Sequence, residues 1–289
     1  MNYNYDTSTL LTVKKNMLTE FDGYLIGTLY LAPQKNIINA PYYGVNFDQN
    51  AINISKVNLC KKATIGCATA CLYHQGIFKT SDFHKNKIKQ ARIKRTLKFL
   101  IQKEEFFAKL IKEIKAIKRK AKKLGLTPAI QLNGTSDILW EKESFTFEES
   151  EHKNIMDYFN EVQFFDYTKY DIEKNRKKLP KNYHLTYSRA GSNKGKIIDD
   201  WETISKILDN NIDVAIIFTK EMKEHILNDS KYQGYKVIDG DVYNCRAYDI
   251  YQRENNQGLI IALQMAKKTD MNNSGFIIQT HEEIEQYLA

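Results

Sequence analysis

Cysteine is scarce in this chain: four residues in 289, three of which, Cys60, Cys67 and Cys71, fall within a stretch of twelve. Histidine is scarce too, six in all, with no two at a spacing suited to a shared metal, so no second ligand set accompanies the thiols. No apolar run approaches the ~18 residues that a membrane-spanning helix needs, so contact with a membrane is not expected. The opening MNYNYDTSTLLTVKKN shows no long apolar stretch after a basic start, and export is not expected either. A cytoplasmic location follows as the expectation, one in which thiols stay reduced and available to a metal. No short repeat and no low-complexity linker divides the sequence. The expected organisation is an extension, residues 1–55, packed on one α/β domain, residues 56–289.

What is present is an ordinary core-building composition, 42% hydrophobic and 12% aromatic, with a net charge of +8. The charge is local: from His84 to Leu124 sixteen Lys or Arg stand against three Glu, while the remainder is acidic. In that stretch Ile93, Leu97, Leu100, Ile101, Leu110, Ile114, Ile117, Ala121 and Leu124 recur at three- and four-residue spacing, which predicts one long basic amphipathic helix. Glu104 and Glu105 suit the positive end of a new helix, so a break is expected near residues 102–105, and Gly125 ends the run. The cations, Arg92, Lys94, Arg95 and Lys98 foremost, offer a surface for a phosphate backbone; the alternative is a solvated face.

After residue 125 apolar runs suited to strands (Pro128–Leu132, Val162–Tyr167, Tyr183–Tyr187, Ile212–Phe218, Tyr235–Ile238, Gly258–Ala262) alternate with helical candidates near 148–159, 170–179, 200–208 and 220–228. A further strand over Lys56–Leu59 is expected to lead into the cysteine loop. Alternation of this kind predicts a parallel sheet, either open and doubly wound or closed as a full or partial (β/α) barrel. Polar residues follow the runs: Asn133, Thr135, Ser136 and Asp137; Asp166, Thr168 and Lys169; Ser188 and Arg189; Asp239 and Asp241. In parallel folds the carboxyl ends of strands line the ligand site, so these residues form a candidate pocket, with turn and cap roles as the alternative. Asp166 stands out, since a charge embedded in FFDYT needs a partner or a ligand.

Three clustered thiols suit a metal. Zinc would take a fourth ligand from His74, His84 or Cys245, whereas a four-iron four-sulfur cluster can use three thiolates and keep one iron open. The succession NLCKKATIGCATACLYHQG, ARIKRTLKFL, QLNGTSDILWE, FFDYTK, NYHLTYSRAG and VIDGDVYNCRAYD resembles a group of bacteriophage-encoded proteins related to the radical S-adenosylmethionine superfamily. The resemblance spans residues 56–265 and implies a barrel with Cys60, Cys67 and Cys71 as cluster ligands. It further implies that Asn133, Thr135, Ser136, Asp137, Asp166 and Lys169 hold parts of S-adenosyl-L-methionine or substrate, with Ser188 and Arg189 at the same rim, and that the setting is the host cytoplasm. This chain has six and then three residues between successive cysteines, where that superfamily has three and then two. The expectations are therefore an iron–sulfur enzyme acting on a nucleotide or nucleic acid, a zinc-stabilised nucleic-acid-binding protein without catalysis, or a metal-free interaction module.

Overall fold

The computed structural model describes residues 3–13, 23–48, 50–73, 82–266 and 274–288, with the side chains of residues 55 and 82–85 left aside. In chain order the elements begin with β1 (Leu11–Val13), β2 (Tyr24–Leu29), α1 (Gln34–Ile38), α2 (Ile65–Thr69), α3 (Asp82–Ile101), α4 (Lys103–Leu124) and β3 (Thr127–Gln131). They continue with β4 (Phe145–Phe147), β5 (Ser150–His152), α5 (Ile155–Tyr158), β6 (Gln163–Thr168), α6 (Ile172–Asn175), β7 (Tyr183–Ser188), β8 (Ser192–Asn193) and β9 (Lys196–Ile197). The last are α7 (Trp201–Asp209), β10 (Val214–Phe218), α8 (Lys220–Asn228), β11 (Lys231–Tyr232), β12 (Tyr235–Asp239), β13 (Ile260–Gln264), β14 (Ile277–Ile278) and α9 (His281–Leu288).

The described residues form two compact units, one drawn from Met1–Lys61, Leu72–Phe164 and Lys178–Tyr183, the other from Lys62–Cys71, Phe165–Lys177 and His184–Ala289. The fold is mixed α/β with a mostly parallel sheet, and within each unit the strands form an open row with no closure into a barrel among the described residues.

In the first unit β1 runs antiparallel to β2, β2 runs parallel to β3, and β3 runs parallel to the start of β6, with Ala129 opposite Gln163. The basic stretch folds as two helices. Gln102 leaves helical geometry between them (φ −122°), Glu104 and Glu105 occupy the first turn of α4, and Gly125 caps its end at φ 67°. The apolar stripe of α4, from Phe106 and Phe107 to Ala121, is buried. Gly27 lets α4 approach β2 closely, since a Cβ there would lie 2.4 Å from the Ile117 side chain. Trp140 anchors this core among Phe99, Phe106 and Phe107, with ring centroids 5.1–6.4 Å apart.

In the second unit the order is residues 165–168 of β6, then β7, β10, β13, β12 and β11, all parallel where pairs are registered except the β12–β11 hairpin. Alternation along β10 sends Val214, Ile216 and Phe218 into one core with Ile204 and Leu208 of α7 and Met222 and Ile226 of α8. Ala215 joins Ile238, Leu259, Ile261 and Tyr167 in a separate cluster. Asp200 and Thr219 cap α7 and α8 by accepting from the backbone N–H three residues on.

Expected elements are shortened or missing in places: the helix expected over 170–179 spans only Ile172–Asn175. Residues 145–152, FTFEESEH, make the β4–β5 hairpin through a turn in which Glu148 and Glu149 both have positive φ, so the helix expected over 148–159 shrinks to Ile155–Tyr158. Residues 54–56 are a 3-10 turn and Val57 lies beyond it, so no strand occupies 56–59 and the cysteine loop does not follow a strand.

Candidate functional site

The sequence placed its candidates at strand ends, and in the second unit the carboxyl end of β7 gathers several of them. Thr64 begins this assembly: its hydroxyl accepts the Cys67 N–H, capping α2, and donates to the Ala190 carbonyl at 2.9 Å. Gly66 is required next to it, since a Cβ there would lie 2.1 Å from Ser274 Oγ and 2.6 Å from Phe276 Cβ. Ser192 bonds the Ser274 carbonyl through both its amide and its hydroxyl, so the turns at 64–67, 190–192 and 274–276 are tied together. Cys67 and Cys71 are both half-buried, and all four cysteines are thiols rather than disulfide halves.

Around this rim the charges are turned inward. Lys169 Nζ donates to the Ser188 carbonyl and hydroxyl at 3.0 Å and to the Arg189 carbonyl at 2.9 Å, and lies 4.7 Å above the Phe276 ring. Arg189 is 1% exposed, donates from Nη1 to the Gly275 carbonyl and lies over the Tyr287 ring. Asp199 is fully buried and accepts from the Ala190 and Gly191 amides and from the Tyr187 hydroxyl. Burial pushes the Asp199 carboxyl up and the Arg189 guanidinium down, and their mutual attraction opposes both shifts. Asp166 is fully buried, and Thr168 accepts the Tyr170 N–H.

The first unit holds the other strand-end set and Cys60. Asn133 is the hub of the loop after β3: its Oδ1 accepts from Ser136 Oγ (2.8 Å), Ile138 N (2.9 Å) and Trp140 Nε1 (3.0 Å), and its Nδ2 donates to the Ile138 carbonyl. Thr135 donates to the Leu31 carbonyl, and the Asp137 amide to that of Leu59. Cys60 Sγ lies 3.8 Å from the Thr135 carbonyl oxygen. These polar atoms hold the loop, the turn role weighed as the alternative from sequence.

Among the described residues no three His, Cys, Asp or Glu side chains gather into a group that could hold a metal ion. Among the described residues neither the three-thiolate cluster that the resemblance implies nor a four-ligand zinc site finds support. His74 and the side chain of His84 lie outside the described residues. Cys245 is fully buried.

The cations expected to meet nucleic acid divide sharply within the first unit. Arg92 is buried, donates to the Tyr73 carbonyl and is sandwiched at about 5 Å by the rings of Tyr30 and Tyr73. Arg95 donates to the Thr9 carbonyl, Lys98 pairs with Asp6 at 2.7 Å, and Lys94 is half-buried. Arg92, Arg95 and Lys98 thus serve the interior and not a phosphate-facing surface.

On α4 the picture reverses. Lys103 pairs with Glu143 and Lys118 with Glu161, and Lys115 lies over Phe147 and Tyr158. Lys112, Arg119, Lys120, Lys122 and Lys123 are exposed and have no acidic partner among the described residues. The sequence sets Arg92, Lys94, Arg95 and Lys98 foremost, and of these the structure buries Arg92, Arg95 and Lys98.

A family model described as Gene product 88 matches residues 17–280. The chain belongs to the Gene product 88 family, a family of bacteriophage gene products. No curated protein and no solved structure matches the chain. The bacteriophage part of the resemblance thus rests on the family. No helix among the described residues is long and apolar enough to cross a membrane.

Proposed function

We propose that this Gene product 88 family member is a nucleic-acid-binding protein whose contact surface is the cationic face of α4. One observation carries the reading: five exposed cations, Lys112, Arg119, Lys120, Lys122 and Lys123, lie within twelve residues of one helix with no acidic partner among the described residues, the one acid in that stretch, Glu113, accepting from the Leu10 and Leu11 amides. Like charges three and four residues apart on a helix repel by roughly 0.2–0.5 kcal/mol per pair. Arg119 alone meets Lys115, Lys122 and Lys123 at such spacings. Attraction of the last-turn cations to the negative end of the helix dipole offsets part of that cost but fades within one turn, short of Lys112 and Lys115. A polyanion removes the repulsion, and a phosphate backbone supplies charges at comparable spacing.

Radical chemistry on an iron–sulfur cluster forms no part of this proposal, because no group of side chains fit to hold the cluster is assembled among the described residues. Cys67 lies within α2 of the second unit and Cys60 belongs to the first, and none of the three clustered cysteines is assigned a reaction.

Fluorescence anisotropy of a labelled duplex and of a labelled single strand, titrated with the full chain at 50 and 200 mM salt, tests the proposal. Five neutralised phosphates predict an affinity loss on the order of a hundredfold or more across that range. Micromolar or weaker binding at 50 mM salt with no salt dependence would refute it.

A further inference from the structure

The polar cluster under the segment from Cys245 to Arg253, in the second unit, is separate from the β7 rim and from the cationic helix. A 3-10 helix, Arg246–Gln252, makes this segment, and it buries Arg246, Ala247 and Asp249 while Ile250 and Tyr251 stay exposed. Asp249 has no exposed surface, and neither of its carboxylate oxygens has a hydrogen-bond partner. Arg246 Nη1 approaches Asp249 Oδ2 to 3.4 Å without the alignment of a hydrogen bond, and Arg246 spends Nη2 on the Tyr243 carbonyl. Gln252 Nε2 is a further buried donor with no partner.

The surroundings do little for a charge on Asp249. Arg253, the other cation in reach, is committed to Asp213 through Nε at 2.9 Å and Nη2 at 2.8 Å. Asp213, just before β10, also takes the Leu259 amide and stands 3.2 Å from His184 Nε2 on β7, so it stays ionised and repels Asp249. Tyr167 on β6 and Asp241 after β12 add no cation. A buried carboxylate with no hydrogen bond and a negative neighbour is costly, whereas the neutral acid is tolerated.

We propose that the segment Cys245–Arg253 is a proton-gated cover, closed while Asp249 carries a proton and loosened when that proton passes to water, and that its opening uncovers the Cys245 thiol. Cys245 is fully buried at the N-terminal end of the segment, so its reach by a reagent reports opening. The direction of titration agrees: burial raises the Asp249 carboxyl to about 7, partly opposed by Arg246 and reinforced by Asp213.

The test is alkylation of Cys245 in the full chain from pH 5.5 to 8, read peptide by peptide by mass spectrometry so that the other three cysteines do not contribute. Each rate is divided by that of the urea-unfolded chain at the same pH, which removes the thiol's own ionisation. The open population is expected to rise by more than about tenfold across the range, and Asp249→Asn is expected to abolish the rise. A flat profile, or the same rise in Asp249→Asn, overturns the proposal. Hydrogen exchange of the Arg246–Gln252 amides, corrected for intrinsic rates, needs no variant: their opening free energy should fall as pH rises and stay below that of the β10 amides, and equal opening free energies for the two segments also overturn the proposal.

Discussion

Asp249 lies beside Arg246 at 3.4 Å, yet neither of its oxygens receives a hydrogen bond. An ion pair this loose does not repay the burial of both charges. The carboxyl, held at about 7, keeps a proton that the unfolded chain releases near its ordinary value of 3.8. Between those values the folded state binds more protons than the unfolded one, so stability falls as pH rises from about 4 to about 7 and levels off above. Asp249→Asn removes this dependence. Urea denaturation at pH 8 should find the variant more stable than the parent by about 2–4 kcal/mol, with the difference vanishing near pH 4.

Asn133 serves three donors at once, and the indole of Trp140 depends on it. Asn133→Ala leaves the Trp140 Nε1–H and the Ile138 N–H buried without an acceptor. Equilibrium denaturation should show a loss of about 2–4 kcal/mol, whereas Asn133→Asp, which keeps the acceptor, should lose less.

Thr64 caps α2 and bonds the Ala190 carbonyl. Thr64→Val keeps the shape and removes both bonds, at an expected cost of about 1–3 kcal/mol. Faster limited proteolysis within residues 62–71 is the local signature to look for.

The cysteine trio gives a prediction that separates the readings weighed from sequence. With no metal-holding group among the described residues, Cys60→Ser, Cys67→Ser and Cys71→Ser combined should leave the melting temperature and nucleic-acid affinity nearly unchanged. Stoichiometric iron or zinc in anaerobically purified protein, lost together with stability in the triple variant, would restore a metal-centred account.

Periodicity carried much of the fold. The helix over residues 220–228 and the strands β3, β6, β7, β10, β12 and β13 stand within two residues of their expected bounds, because long apolar repeats fix the buried face whatever surrounds them. The break at Gln102 was legible because acids at a helix start are a local signal. The β4–β5 turn was not, since Glu148 and Glu149 take positive φ without the glycine or asparagine that announces such a turn. At the candidate site, spacing placed Lys169, Ser188 and Arg189 together but did not show that their partners are backbone carbonyls. The sequence directs Arg92 and Arg95 to an anionic ligand or to strand-end acids, whereas their acceptors, the Tyr73 and Thr9 carbonyls, are brought to them by tertiary structure alone. Asp249 had no signal in spacing, as its burial depends on Asp213 and Arg246 converging in space.

The central claim, that unpaired cations on α4 hold nucleic acid, is tested most directly by charge reversal at Arg119, Lys120 and Lys122. Control reversals belong at Lys174 and Lys206, which sit beside Asp171 and Glu202. Anisotropy with a labelled oligonucleotide across a salt series should show the α4 variant binding more weakly and its log–log salt slope shallower by about 3, with the controls close to the parent. Equal affinity and slope in all three proteins would contradict the account.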